Sequence, residues 1–523
     1  MFLRTIFTAI FCFVALEVIG QDDTFMMFER PECDVHFTPQ VAARRDGVKR
    51  VGSQSAAPLK SSGVQRVPVV LVNFKDVKFS AAPDSASVNE FYQKFCNGTM
   101  DGKRYTGHGS YGSIRDYFIA QSDSVFFPLF DVIGPVTLDS VVSYYGKNNP
   151  GRDTNYGKFT SESLKKAMTS FSDWSKFDND DNGTIDIVFF IYAGFGESNT
   201  RNKHPELIWP KETTSSTIID DWVFATSGVT CEARPKWNEN YTEIVDTITD
   251  GVGVFIHELS HALGLPDFYD TNYKAFGMDI WSVMDYGEYG VDSGRTPGNY
   301  TAYERDFMGW RQLKTLTEPC IVTIPCFADG GTGYKIVNDA NPNEFYVIEN
   351  RQPKGWDSRI GKYGHGLQVT HVDYYSDKWN GNSVNTDAKH QCMTIIAANN
   401  NYNGVNEGDQ QAWIAAIPGQ LYPGNTYNYS LTDESTPAAQ VFSKSVVYTG
   451  ALMHKPLNAI IENEDGTITV YFMTEPVGIH SIQNSKVNNQ DEVYDLSGRR
   501  VSKLHRGINI IRNADGSVRK VMR

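Results

Sequence analysis

Residues 257–267 read HELSHALGLPD, and the rest of the chain is organised around what this stretch can hold. His257 and His261 are four apart, so on a helix they project from one face and both imidazoles can reach a single Zn2+. Glu258, beside them, is the residue type that serves as general base without ligating. The helix itself is legible: DGVGVFIHELSHALG (250–264) keeps apolar residues on one face and stops at Gly264, with Pro266 close behind. A catalytic zinc site needs a third protein ligand. Gly264 can take the positive φ that lets the chain leave the helix and curl back, which brings residue 267 towards the metal. Asp267 can ligate through oxygen. A more distant carboxylate, Glu288, is the rival third ligand; it would leave Gly264 without a special task, so the spacing favours Asp267.

Length and composition bound the rest. At 523 residues the chain is too long for one ordinary domain, and 40% hydrophobic with 13% aromatic residues is ample for packed cores. A formal charge of -14 argues against binding to nucleic-acid phosphates as the main activity. The opening MFLRTIFTAIFCFVALEVIGQ reads as a secretory signal over residues 1–20. Its apolar run is too short for a spanning helix, and no other segment reaches the ~20 apolar residues that one needs. Seven cysteines, one of them Cys12 in the leader, are too sparse and irregular for a cysteine-based metal site. Cys320 and Cys326 flank one strand-like run, which would hold them ~20 Å apart and beyond disulfide reach.

Composition divides the chain into segments. Residues 21–66, polar with a Ser/Ala/Gly stretch, read as a prosegment or linker, and VPVVLVNF opens a buried strand at Val67. VNEFYQKF and SIRDYFIAQS have helical spacing, and DIVFFIYAGFG is a second buried strand. Beyond residue 314, IVTIPCF, EFYVIENR, GLQVTHVDY, MTIIAA, AIIEN and TITVYF are short strands between turn formers, which predicts a β-sandwich-like domain over 315–474. The remainder, 475–523, is a basic tail with eight Lys/Arg against four Asp/Glu from 491 onward. The catalytic region is then 67–314, of mixed α/β (α+β) class.

One further motif strengthens the metal reading. WSVMDYG (281–287) places Met284 in a small-residue turn, with Tyr286 two positions on. HExxHxxGxx(H/D) followed by a methionine-bearing turn resembles the metzincin clan, and HELSHALGLPDFYD with WSVMDYG is similar to the immune-inhibitor-A family of secreted bacterial metallopeptidases. GSIRDYFIAQS, FDVIGPVTLDSVVSYYG, DNDDNGTIDIVFFIYAGFG, MGW, EFYVIENRQPKGWD and GLQVTHVD look like blocks of that family in family order, over roughly 67–474. The resemblance implies a zinc endopeptidase acting on protein or peptide substrates, with His257, His261 and Asp267 as zinc ligands and Glu258 as the base. It further implies that Met284 forms an apolar floor below the histidines. Tyr286 stands where serralysin- and astacin-like relatives put a tyrosine that ligates zinc or steadies the oxyanion. The tail resembles C-terminal segments of proteins exported by Bacteroidetes, some of which engage secretion machinery. A periplasmic, cell-surface or secreted location is expected.

Other clusters carry weaker chemistry. Asp178, Asp180, Asn182, Thr184 and Asp186 match the first two-thirds of an EF-hand loop, with Gly183 at its sixth position, and predict a structural Ca2+. The bidentate glutamate is missing, because Phe189 stands at position 12. His371 and Asp373 share one face of a strand and read as a packed or hydrogen-bonded pair. Cys33 or Asp34 in the prosegment could fill the open position on zinc and enforce latency. Two rivals to the preferred reading remain: an adhesin-like binding protein on an inactive scaffold, which intact Glu258 disfavours, and a thermolysin-type peptidase using Glu288.

Overall fold

The computed structural model describes residues 58–476, apart from 81–85, 100–102, 150–151, 201–202, 215–216, 239–242, 405–409 and 445–449. It also describes 479–481, 492–495, 498–504, 508–512 and 518–522. The leader, most of the prosegment, and Cys33 and Asp34 lie outside the described residues.

The apolar runs build a six-stranded sheet. Its strands lie in the order Phe126–Thr137, Gly63–Asn73, Val188–Phe195, Ser227–Trp237 and Lys211–Thr213, with Ile244–Thr249 also pairing with Ser227–Trp237. The first four are parallel, so both faces must be covered. Alternation in the strand at 63–73 does this: Val67, Val69 and Leu71 face the helices Val88–Asn97, Ile114–Gln121 and Gly253–Ala262. Val70 and Val72 face Phe159, Leu164 and Ala167 of the helix Tyr156–Ser170. The strand begins earlier than its apolar run suggests. Gly63–Arg66 pair in register with Phe126–Leu129, and Leu59 and Ser61, assigned by composition to the prosegment, are buried. Leu59 N–H donates to Ala262 O, so the chain just before the strand is anchored on the metal-motif helix.

That helix, Gly253–Ala262, is buried on every side. Phe255 stacks on Phe189 of the central strand with ring centroids 3.6 Å apart. Burying Phe255 and Leu259 contributes roughly 1.5–3 kcal/mol each. At its start the chain leaves no room for a side chain: a Cβ on Gly253 would sit 1.8 Å from the Glu288 carbonyl oxygen, so the 282–294 segment lies directly against the helix.

Two further sheets follow. One runs Lys314–Thr315, Tyr334–Asn338, Asn341–Arg351, Gly366–Asp373, Met393–Ile395; the other runs Cys320–Ile324, Ile468–Phe472, Leu457–Glu462. Strict alternation again assigns the faces. Tyr346 and Ile348 join Ile324, Ile460, Ile468 and Val470 in a core between the two sheets. Phe345 and Val347 point the other way, into the core that contains the metal-motif helix. The five-stranded sheet therefore shares a hydrophobic core with the layer that contains the metal-motif helix. Near the C-terminus, Ile479–Ser481, Glu492–Tyr494, Arg500–Val501, Ile508–Arg512 and Val518–Met522 form a five-stranded sheet of their own. Cys96, Cys231, Cys320, Cys326 and Cys392 are unpaired thiols. No described helix is long and apolar enough to cross a membrane.

His371 and Asp373 each find a partner other than one another. His371 Nε2 lies 2.9 Å from Glu344 Oε1, and Asp373 Oδ2 lies 2.7 Å from His390 Nε2. Glu344 also accepts from the backbone N–H groups of Phe442 and Ser443, fixing that loop to the sheet. Burial opposes its charge, but His371 and the two amides outweigh burial and lower its pKa from 4.5 to about 2. A folded-state pKa below the unfolded value contributes stability that is present above the unfolded pKa and is lost as pH falls from about 4.5 through about 2. Glu344→Gln is therefore expected to lower the melting temperature by a few degrees near pH 7. Melting curves across pH should show the deficit shrinking towards pH 2; a deficit independent of pH would contradict this account.

Candidate metal centre

Three ligand atoms converge. His257 Nε2 and His261 Nε2 are 3.2 Å apart, and Asp267 Oδ1 lies 3.1 Å from the first and 3.4 Å from the second. Among the described residues this is the one group of three His, Cys, Asp or Glu side chains gathered this closely. The helix supplies the two imidazoles on one face, one turn apart. The turn supplies the carboxylate. Gly264 takes φ +100, Leu265 N–H returns to Ser260 O, and the chain doubles back to deliver Asp267. Any residue with a Cβ would be strained at that φ, which is why glycine stands there.

The outer edges of both rings are tied to the backbone. His261 Nδ1 lies 2.8 Å from Leu265 O, and His257 Nδ1 lies 2.9 Å from Val283 O. An Nδ1–H donated to a carbonyl leaves Nε2 as a bare lone pair, the arrangement that metal-ligating histidines adopt. Two such nitrogens and a carboxylate oxygen within 3.4 Å of one another direct three donor atoms at one point, where a cation would be held. The donor set, two nitrogens and one oxygen, suits Zn2+ and leaves a fourth position for water or substrate. All three side chains are buried. Burial opposes charge on both His257 and Asp267. The carboxylates of Glu288 and Asp267 nevertheless favour positive charge at His257, while His261 and His257 hold the Asp267 carboxyl well below the usual carboxylate range.

Glu258, on the same helix, is also fully buried, and that burial pushes its pKa up to about 7; the two histidines lower it and Glu288 and Asp267 raise it further. Glu288 lies at the other edge of His257: its Oε2 is 3.7 Å from Nδ1, on the ring edge turned away from the convergence point. That position makes it a neighbour of the histidine backing rather than a member of the ligand triangle.

The methionine-bearing turn backs the site. Met284 is fully buried, and its neighbour Val283 holds His257. Asp285 organises the turn: its Oδ2 accepts from the N–H groups of Met278 and Asp279, each at 2.8 Å, and its Oδ1 accepts from Tyr286 N–H. Tyr286 is buried against Tyr289 and Trp413, with ring centroids 5.1 and 5.2 Å away. The one sequence signal for Asp285 is a carboxylate in a tight turn, a recognisable backbone acceptor.

In the predicted calcium loop, Asp178 accepts from the N–H groups of Asn182 and Gly183, and Asn182 Oδ1 accepts from Thr184 N–H. Asp186 Oδ2 accepts from Asn179 N–H at 3.1 Å, and Asp180 completes the acidic set. Gly183 takes φ +82, as the sixth position of such a loop requires. The three aspartates are not gathered as tightly as the His257–His261–Asp267 group.

Comparison with known proteins points to a peptidase family. Residues 60–313 match the family model described as immune inhibitor A peptidase M6, catalytic domain. Immune inhibitor A of Bacillus thuringiensis subsp. alesti is 30% identical over 33% of this chain and 30% of its own length. Pre-pro-metalloprotease PrtV of Vibrio cholerae serotype O1 is 24% identical over 39% of this chain and 25% of its own length. The chain thus spans less than a third of either relative's length. Residues 60–313 are therefore similar to the catalytic domain of immune inhibitor A peptidases.

Proposed function

We propose that the protein is a zinc endopeptidase that hydrolyses peptide bonds in protein substrates, with Glu258 as general base and acid. The single observation that carries this reading is the convergence of His257, His261 and Asp267 within 3.4 Å beside a buried glutamate on the same helix. His257, His261 and Asp267 would hold Zn2+, which would supply a Lewis acid able to acidify a water molecule and polarise a carbonyl. Glu258 takes the proton at its carboxylate and passes it to the leaving amine. A carboxylate is the residue type that can take up a proton and release it again within one turnover. The backbone carbonyls of Val283 and Leu265 keep both imidazoles oriented with Nε2 inward. Asp267 contributes one negative charge to the ligand set. Tyr286 is read as a further aid to the oxyanion or the metal.

In this reading the architecture is metzincin-like, with 315–474 as a β-sandwich-like domain. Residues 1–20 are a signal for export, and the basic tail is a point of contact with secretion machinery. The loop at Asp178–Asp186 takes a structural Ca2+, supported by Gly183 at positive φ and by the carboxylate of Asp178 folded onto its own loop amides.

Casein hydrolysis is expected to vanish on chelation and return with zinc. Glu258→Ala should lose roughly 10²–10⁴-fold in kcat while still binding zinc, and Tyr286→Phe should lower kcat more than KM. Chelator-resistant activity, or full activity in Glu258→Ala, would remove the zinc-hydrolase reading; an unchanged kcat in Tyr286→Phe would remove Tyr286 from it. Metal analysis of purified variants separates the two third-ligand candidates. Asp267→Ala should lose stoichiometric zinc and Glu288→Gln should keep it, whereas the reverse would favour a thermolysin-type ligand set. For the acidic loop, Ca2+ should raise the melting temperature of the parent protein and not that of Asp178→Ala. Equal response of the two proteins would assign any stabilisation elsewhere.

A further inference from the structure

The third ligand of the candidate metal centre is held from outside the region that matches the peptidase family. Asn382 lies 115 residues beyond Asp267 and grips it twice: its Oδ1 accepts from Asp267 N–H at 2.7 Å, and its Nδ2 donates to Asp267 Oδ2 at 2.6 Å. Those two contacts assign the amide uniquely, since the backbone N–H must meet oxygen and the carboxylate must meet NH2. Oδ2 is thereby tied to the amide, while Oδ1 is the oxygen directed at both imidazoles. We infer that Asn382 is a positioning residue for the metal: it fixes the rotation of the Asp267 carboxylate and makes metal affinity depend on the segment that joins the strands Gly366–Asp373 and Met393–Ile395.

The residue type is specific to that task. Asn382 sits at φ +48, a left-handed conformation that asparagine tolerates better than most side chains. Aspartate in the same place would set a second carboxylate against Asp267 and lose the donor. Around it the segment is anchored on the chain next to the ligand. Trp379, in the short helix Ser376–Asn380, packs on Phe268 with ring centroids 6.2 Å apart. Asn385 Nδ2 donates to Phe268 O at 2.7 Å and to Met393 O at 2.6 Å, while its Oδ1 accepts from Met393 N–H. Gln391 Oε1 accepts from Gly277 N–H at 2.7 Å. The segment 376–395 is thus tied both to the chain around the ligand and to the edge of the five-stranded sheet, and Asn382 is its contact with the ligand itself. The family match ends at residue 313, so this support comes from beyond it. A carboxylate fixed in one rotamer before the metal arrives forgoes the ordering cost at binding, the general benefit of a partner behind a ligand.

The inference rests on zinc binding at His257, His261 and Asp267, and the test separates the two. Zinc dissociation constants are measured on full-length protein by competition with a chromophoric chelator for the parent chain, His261→Ala, Asn382→Gly and Asn382→Asp. Circular dichroism verifies that each is folded. Glycine suits φ +48, so Asn382→Gly removes the amide without backbone strain and remains informative should Asn382→Asp fail to fold. Both Asn382 variants are expected to bind zinc 10–100-fold more weakly. Hydrogen exchange at 376–395 should slow on zinc loading in the parent protein and much less in Asn382→Gly. Affinity within threefold of the parent in folded Asn382→Gly overturns the positioning role. A parent chain that binds no zinc, or His261→Ala binding as tightly as the parent, overturns the metal reading itself.

Discussion

Two imidazole nitrogens and a carboxylate oxygen are held within 3.4 Å of one another in the buried interior, a spacing that suits a cation at their focus. Two imidazole lone pairs and a carboxylate oxygen can be kept there only by a rigid frame, because each is oriented by contacts on its far side. Nδ1 of His257 is satisfied by the turn at 283, Nδ1 of His261 by the turn at 265, and Oδ2 of Asp267 by Asn382. The rest of the fold can be read as support for these three outer contacts. The parallel sheet seats the helix through Phe189 and Phe255, the glycine at 253 lets the 282–294 segment press against it, and Gly264 turns the chain towards Asp267.

The frame is not confined to one half of the chain. Strands of the five-stranded sheet alternate their side chains between a core shared with the other β-layer and a core shared with the metal-motif helix. A substitution on one face of that sheet should therefore be felt at the catalytic layer, and one on the other face in the β-region. The central strand of the same sheet is tied to the chain at 442–443 by Glu344, whose charge is stabilised by His371 and by two backbone amides. Buried ion pairs recur in these layers: Arg351 with Asp357, Arg305 with Glu349, and Arg234 with Asp250. Desolvation offsets much of the attraction within such pairs, so their net contribution to stability is small.

Much of the site was legible before any coordinates, and for a local reason. Helical period, a positive-φ glycine and a six-residue reach from the second histidine are all short-range constraints, so His257, His261, Gly264 and Asp267 could be read directly. Strands with continuous or alternating apolar residues, such as those at 67–73, 188–195 and 344–351, were equally plain. Local composition and tertiary burial diverge in places. Leu59 and Ser61 lie in a polar stretch yet are buried beside the helix, and Gly63–Arg66 become strand because a neighbouring strand offers the register. Glu288, a reasonable rival by spacing alone, is placed at the wrong edge of the imidazole by the turn between it and the helix.

By itself the sequence determined the chemistry: which residue types could hold a metal, which glutamate could move a proton, and which segments would be helix or strand. Those properties follow from side-chain identity and from contacts within a few residues. Only the tertiary structure decided which nitrogen of each histidine faces inward, which oxygen of Asp267 faces them, and that an asparagine 115 residues away holds the other. These are choices of orientation, made by groups distant along the chain and adjacent in space, and no local pattern encodes them.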